Sequence, residues 1–344
     1  MLYVSTRNSQ ITHTARKALT EGRAPDGGLY VPFALEKLGR EDLEALSGRK
    51  FNDSVARMMN YLFQARMTEH DVRLAVGRNP VRLNAMANRI LMAECWHNLD
   101  GTYQRLVENL LTHFCLEAST APGSWGKIGI GISVLFGIFG ELMGVGIASE
   151  ERKVDVSVVS GDFSLAMSAW YARQLGLPIG NIVCCCNENN AVWNLFTHGM
   201  LRTDGVSLQT LTPEADICVP DSLERLIFAC GGEEETARYV DCCRQGASYY
   251  PDELILRKLR RGMFISVVST PRMRDTIPNA HTTHSYVLSP YSALAYGGLM
   301  DYRAVSGESR RCLILAEKSP LTDRNVVADA LDITPDQLEL YLES

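Results

Sequence analysis

Residues 158–167, VVSGDFSLAM, place an apolar β-type run, a glycine and a helix start in succession. N–H groups at a helix start, together with the helix dipole, favour an anion there. Ser160, Gly161, Asp162, Phe163 and Ser164 therefore form a candidate anion loop. The loop has one glycine, and Ser164 stands where a second would give the backbone ready access to positive φ. Asp162 brings negative charge to the same place and opposes an anion unless its side chain turns away to cap the next helix. Asn187, Glu188 and Asn189 follow an apolar run at 182–186, at the kind of strand end where α/β crevices lie. They read either as crevice residues or as a helix-start cap. His281 and His284 have a spacing that suits a metal on one helical face, but no Cys, Asp or Glu completes the set. A pair of loop histidines and no metal site are expected. Asp155 and Asp162 flank one strand without making an acid–base pair, and spacing alone identifies no catalytic triad.

The elements that position these residues belong to a chain of 344 residues with 46% hydrophobic and 22% charged content, an ordinary globular balance. A net charge of −6 without a long basic run argues against a nucleic-acid partner. Ten cysteines lack CxxC spacing, and three of them, Cys184 to Cys186, fall inside an apolar run. Reduced, mostly buried thiols in a cytoplasmic protein are expected, rather than disulfides or zinc. The first residues are polar from the fifth onward and lack a signal-peptide pattern. Residues 128–140 are apolar but number only thirteen between Lys127 and Glu141, too few to span a bilayer. They predict a buried helix packed closely through its glycines, with no membrane partner.

Residues 1–95 read as a mainly helical N-terminal region after a short strand, with one more β-type run at 29–31. Within it, Thr68 is the expected cap of one helix. Residues 96–123 form a bridge with one helix. Residues 124–320 alternate: helix 128–147, strand 155–159, helix 165–175, strand 182–186, helix 191–198, strand 216–219 and helix 223–230. Strands at 262–270 and 311–317 follow. This alternation predicts a largely parallel sheet covered on both faces. A tail at 321–344 ends in a helix capped by Thr334 and Gln337.

Five segments in order resemble the threonine synthase family: YVSTR with GRAPDGGLYVP, SWGKIGIGISVLFG, the block from Val158 to Gly199, PEADICVPDSLERLIFACGG, and SPYSALAYG. The resemblance implies a fold-type II pyridoxal phosphate (PLP) architecture, with a large α/β domain and a small domain closing over the substrate. It also implies a lysine that carries PLP as a Schiff base in a His-Gly-Pro-Thr-x-Ala-Phe-Lys-Asp segment. The matching stretch here is HNLDGTYQR, in which His97 and Tyr103 fall in register and Gln104 stands at the lysine position. A carboxamide cannot form an imine at neutral pH. Most of the family's small domain, including its carboxylate loop, has no counterpart between Arg105 and Ser124. The family's Gly-Asn-Phe-Gly reads Gly161–Asp162–Phe163–Ser164, and its Thr-Ala-His-Pro reads within LAEKSP. Lys127 replaces a family arginine, and Lys318 is expected on the surface.

The resemblance therefore implies a threonine-synthase-like protein with a truncated small domain, no PLP and no threonine synthesis. It would be a binding, regulatory or partner subunit in amino-acid-related metabolism, paired with another protein or with itself. The alternative is a PLP-independent, lyase-like enzyme acting on a small phosphorylated or amino-acid-like substrate. A PLP lyase with a displaced lysine is the least favoured reading. Crevice candidates are His97, Ser124, Lys127, Asn187, Glu188, Tyr291 and Ser292 beside the loop at 160–164.

Overall fold

A computed structural model describes residues 1–343. The chain begins with β1 (Leu2–Ser5), β2 (Asn8–Thr14), α1 (Ala15–Thr20), β3 (Tyr30–Pro32), α2 (Arg40–Leu46), α3 (Phe51–Phe63) and α4 (Glu69–Val76). The hairpin β4 (Arg82–Met86) and β5 (Ile90–Glu94) leads to α5 (Tyr103–Phe114) and α6 (Trp125–Gly144). Then come β6 (Val154–Val159), α7 (Ser164–Gln174), β7 (Ile179–Cys186), α8 (Ala191–His198), α9 (Leu223–Gln245), α10 (Glu253–Arg260) and β8 (Met263–Val267). The chain closes with α11 (Thr270–His284), α12 (Pro290–Ser306), β9 (Cys312–Ala316), α13 (Arg324–Leu331) and α14 (Pro335–Glu343).

The main sheet has six strands in the order β4-β5-β9-β6-β7-β8, and β1 pairs with β2 and β3 in a separate antiparallel sheet. Every neighbour pair in the main sheet is parallel except the β4–β5 hairpin. Side chains alternate across a strand, so successive residues divide between two cores. Leu91, Ala93, Val156, Val158, Cys184, Leu313 and Leu315 join the core on one face. Ile90, Met92, Val159, Cys185, Ile314 and Ala316 join the other, under α11 and α12. Burial on both faces is why β9 and the second half of β7, Ile182 to Cys186, read as unbroken apolar runs.

α6 is the central helix of the first core. It is long and apolar enough to cross a membrane, but 83% of its most apolar window is buried inside the fold. Its glycines let neighbours approach closely. A Cβ on Gly129 would stand 2.2 Å from Phe63, and one on Gly144 would stand 2.3 Å from the Gly48 backbone.

The expected alternation from α6 to β9 appears, with helix and strand ends shifted by a few residues. The capping box of Thr68 with Asp71 forms, as does the one of Thr334 with Gln337. All ten cysteines are free. Four expectations need correction. The first 95 residues hold more helix than strand, but they carry five strands rather than the two expected, and two of the five belong to the main sheet. The strand expected at 216–219 is a loop after a 3-10 turn at Pro213–Ala215, because Asp216 folds back onto Thr210 and Asn187. The helix expected at 223–230 continues to Gln245 across a break at Gly232, where φ is 70°. His281 and His284 lie in the last turn of α11, not in a loop. Each contacts a tyrosine hydroxyl, Tyr341 and Tyr296 respectively, and no metal-ligand cluster occurs among the described residues.

Candidate functional site

The adjacent parallel strands β5, β9 and β6 end along one edge of the sheet, the edge where ligand sites of α/β folds form. That edge is locked where α5 begins. Tyr103 N–H donates to the Glu317 carbonyl at 2.8 Å, and Thr102 forms a bridge with Lys318. The two charged residues that leave β9 are thereby pinned beside the first turn of α5.

Lys318, expected on the surface, has a side chain only 16% exposed. Its ammonium ion-pairs with Glu214 and lies 4.4 Å from the centroid of the Tyr291 ring. The Tyr291 hydroxyl in turn accepts the Glu214 N–H at 3.3 Å. Burial pushes the Glu317 carboxyl up to about 8, the nearby charges of Glu214 and Asp162 add to the rise, and Lys318 opposes it. Asp323 is also raised by burial, and its Oδ2 has no partner. Three carboxyl groups, those of Glu214, Glu317 and Asp323, thus feel one ammonium. The group best placed to carry a proton at neutral pH is Glu317.

The loop after β6 turns through Gly161 at φ 43° and Phe163 at φ 66°, closed by Phe163 N–H to the Ser160 carbonyl at 2.7 Å. Asp162 caps α7. Its Oδ1 accepts the Ser164 N–H at 2.9 Å, and its Oδ2 accepts the Gly123 N–H at 3.3 Å. The Ser164 and Ser222 hydroxyls lie 3.1 Å apart.

The structure distributes the other sequence candidates unevenly. Tyr291 belongs to the Lys318 cluster. Ser292 is buried and meets Ser289 at the start of α12. His97 contacts Glu94 at 2.6 Å, and none of its contacts joins it to Lys318. Gln104 is exposed, and its amide donates to Glu108 at 2.8 Å. Ser124 is fully buried with an unpartnered hydroxyl, and Lys127 is half-buried in the first turn of α6. Asn187 donates to Thr210, Thr212 and Asp216, so its work is to brace that loop. Glu188 accepts the Thr270 N–H at 2.6 Å at the start of α11. Sequence reasoning missed Glu214, Glu317 and Asp323. The available signal was an acid and a base standing directly after a buried strand, at 317 and 318.

A family model for the threonine synthase N terminus matches residues 2–79. Threonine synthase-like 1 of Homo sapiens is 23% identical over 176 residues, 50% of this chain and 24% of that protein. Threonine synthase of Corynebacterium glutamicum is 28% identical over 202 residues, 56% of this chain and 41% of that enzyme. The matches thus span from about a quarter to two-fifths of these relatives' own lengths. The solved structure of PLP-bound threonine synthase from Brucella melitensis superposes with a TM-score of 0.86 over 97% of this chain and 92% of that one, at 16% identity. The chain has the fold of the threonine synthases and is similar to them in sequence over about half of its length. The yeast threonine synthase structure gives a TM-score of 0.85 at 16% identity, covering 99% of this chain and 94% of that one. At this identity the superpositions show a shared fold-type II architecture. What this chain does is a matter of its own residues.

Proposed function

We propose that this threonine synthase-like chain does not hold PLP, and that it binds a small amino-acid-type ligand in its strand-end crevice. It would act as a binding or partner subunit in the amino-acid metabolism of a reducing, cytoplasmic compartment. The observation that carries this reading is the Asp162 carboxylate at the first N–H of α7, the donor that a cofactor phosphate needs. The residues present do not fit PLP in a second respect. Gln104, at the position where the resemblance puts the Schiff-base lysine, is an exposed amide engaged with Glu108. Lys318 is the amine nearest that turn by chain pairing, and it is committed to Glu214 and the Tyr291 ring. The Lys318–Glu214 ion pair suits a zwitterion that exchanges into it, its ammonium toward Glu214 and its carboxylate toward Lys318.

A second reading, a PLP-independent lyase-like enzyme, is favoured by Glu317, which keeps a proton at neutral pH and so supplies an acid beside the bound ligand. The test of the first reading is to mix the full chain with PLP, record the internal-aldimine band, reduce with borohydride and map adducts by mass spectrometry. No band and no fixed adduct are expected. An adduct on Lys318 or Lys127 would overturn the reading. A thermal-shift screen of free and phosphorylated amino acids, with NMR on each hit, separates binder from enzyme. A stabilising ligand left intact supports the binder, and one that is consumed supports the enzyme.

A further inference from the structure

We propose that the cavity bounded by the start of α3, by α4 and by the β4–β5 hairpin is a second binding site, which takes a compact polyanion that also carries a hydroxyl group. It goes beyond the reading above, because the cavity shares no lining residue with the Lys318 cluster.

The cavity holds about 880 Å³, within the range of small-molecule sites. Four cationic side chains line it, Lys50, Arg73, Arg78 and Arg82, against two carboxyl groups, Glu69 and Glu141. Glu141 accepts the Phe51 N–H at 3.2 Å, and burial raises its carboxyl and so disfavours the charged form. None of the four cations ion-pairs with a carboxylate among the described residues.

Two of these cations are free for identifiable reasons. Arg82 lies directly opposite Glu94 in the β4–β5 ladder, where opposite charges ordinarily meet. Glu94 is buried and already filled. Its Oε1 accepts the Asn84 amide at 2.5 Å and the Tyr286 hydroxyl at 2.7 Å, and its Oε2 meets His97 Nε2 at 2.6 Å. The guanidinium of Arg82 is thereby left over at the cavity wall. Arg78 is held in place by Asn52, whose amide donates to the Gly77 and Arg78 carbonyls at 3.1 and 3.2 Å.

The independent observation is a pair of acceptors with nothing to accept. Asn52 is 3% exposed and lines the cavity, and its Oδ1 has no partner. Its orientation is fixed, since a flipped amide would set the oxygen against two carbonyls. His97 lines the same cavity. With Nε2 on Glu94, its Nδ1 has no hydrogen bond among the described residues. Guanidinium groups call for oxyanions, whereas these two atoms call for a donor. A hydroxylated polyanion satisfies both demands, and a simple anion leaves a buried acceptor unpaired.

The experiment uses full chains: wild type, Arg78→Gln/Arg82→Gln, Lys318→Met, and Arg16→Gln/Arg40→Gln as a control for surface charge elsewhere. Thermal unfolding and calorimetric titration are run with citrate and with fructose 1,6-bisphosphate, against gluconate at matched ionic strength. Saturable stabilisation of wild type by either polyanion is expected, by roughly 4 °C at a hundredfold excess over the dissociation constant. The stronger of the two assigns the acidic group as carboxylate or phosphate. Arg78→Gln/Arg82→Gln should bind roughly a hundredfold more weakly, while Lys318→Met and Arg16→Gln/Arg40→Gln bind as wild type does. Tricarballylate, which lacks the hydroxyl of citrate, should bind roughly tenfold more weakly than citrate. No stabilisation by either polyanion, or equal stabilisation by gluconate, overturns the proposal. So does undiminished binding to Arg78→Gln/Arg82→Gln, or an equal loss in the surface-charge control. Loss of binding in Lys318→Met would move the anion to the strand-end site and overturn the second site alone. Tricarballylate as tight as citrate would remove the hydroxyl from the proposal.

Discussion

Glu317 shows how one residue's chemistry follows from its place at a strand end. Its carboxyl has lost water and faces Glu214 and Asp162, so the folded state holds its proton up to about 8. An unfolded glutamate releases that proton near pH 4.3. Between those two values the folded state binds more protons than the unfolded one, so stability falls as pH rises through the window and levels off above it. Glu317→Gln removes this dependence. The variant should match wild type in Tm near pH 4, exceed it by a few degrees at pH 8, and flatten the profile between. A parallel decline in both proteins would place the titrating group elsewhere. The burial of Lys318 has a related cause. A lysine after a strand looks exposed until the strand's neighbours are known, and here Thr102 and Tyr291 enclose it.

At the scale of elements, two glycines constrain their helices in different ways. Gly144, at the end of α6, leaves no room for a side chain, since an added Cβ would stand 2.3 Å from the Gly48 Cα. Backbone cannot swing aside as a side-chain tip does, so Gly144→Ala should cost ~2–3 kcal/mol despite alanine's better helix propensity. Gly232, in the middle of α9, has open space around it, with nothing within 4 Å. Its φ of 70° and ψ of −162° nevertheless lie in a region that side chains disfavour strongly. Gly232→Ala should therefore cost ~1–3 kcal/mol through the backbone alone. Urea denaturation of both variants checks the pair. A Gly232→Ala variant as stable as wild type would mean that α9 straightens without penalty. The break at Gly232 also explains why the helix was read too short: glycine marks a stop signal, and packing of Tyr239 and Val240 carries the helix beyond it.

For the whole molecule, burial divides the cysteines into two groups. Cys95, Cys184, Cys185, Cys186, Cys230 and Cys312 are buried, and Cys115, Cys218, Cys242 and Cys243 are partly accessible. Burial pushes the Cys184 and Cys312 thiols well up, which further suppresses their thiolate forms. A thiol-reactive chromophore should titrate ten groups in denaturant. In the native state it should label the partly accessible set first. Early labelling of Cys185 or Cys312 would show that the sheet opens, since both lie in the core under α12. Unchanged thermal stability with or without reductant is the companion result, because all ten thiols are free.

The sequence by itself determined the parallel α/β framework, the capped tail helix, the closely packed glycine helix and the anion-type turn at 160–164. These depend on periodicity, caps and turn residues, which act over a few positions and are written locally. The five ordered segments extended that reading to the threonine synthase family. Three strands of the first 95 residues, β2, β4 and β5, escaped it because their side chains do not alternate cleanly, and because β5 becomes a sheet strand only by pairing with β9, more than 200 residues later. The crevice was legible only in part. Gln104 and Asp162 stood out by their positions, but the Glu214–Lys318–Tyr291 cluster joins residues from three distant segments. Tertiary structure also decided what Asp162 does. In sequence it was an acid that opposed an anion site. In the fold its carboxylate accepts N–H groups at the starts of two helices, from Gly123 just before α6 and from Ser164 at the head of α7. The charge on a loop is read from its residues, but the field it must balance is set by which helix ends the fold brings to it.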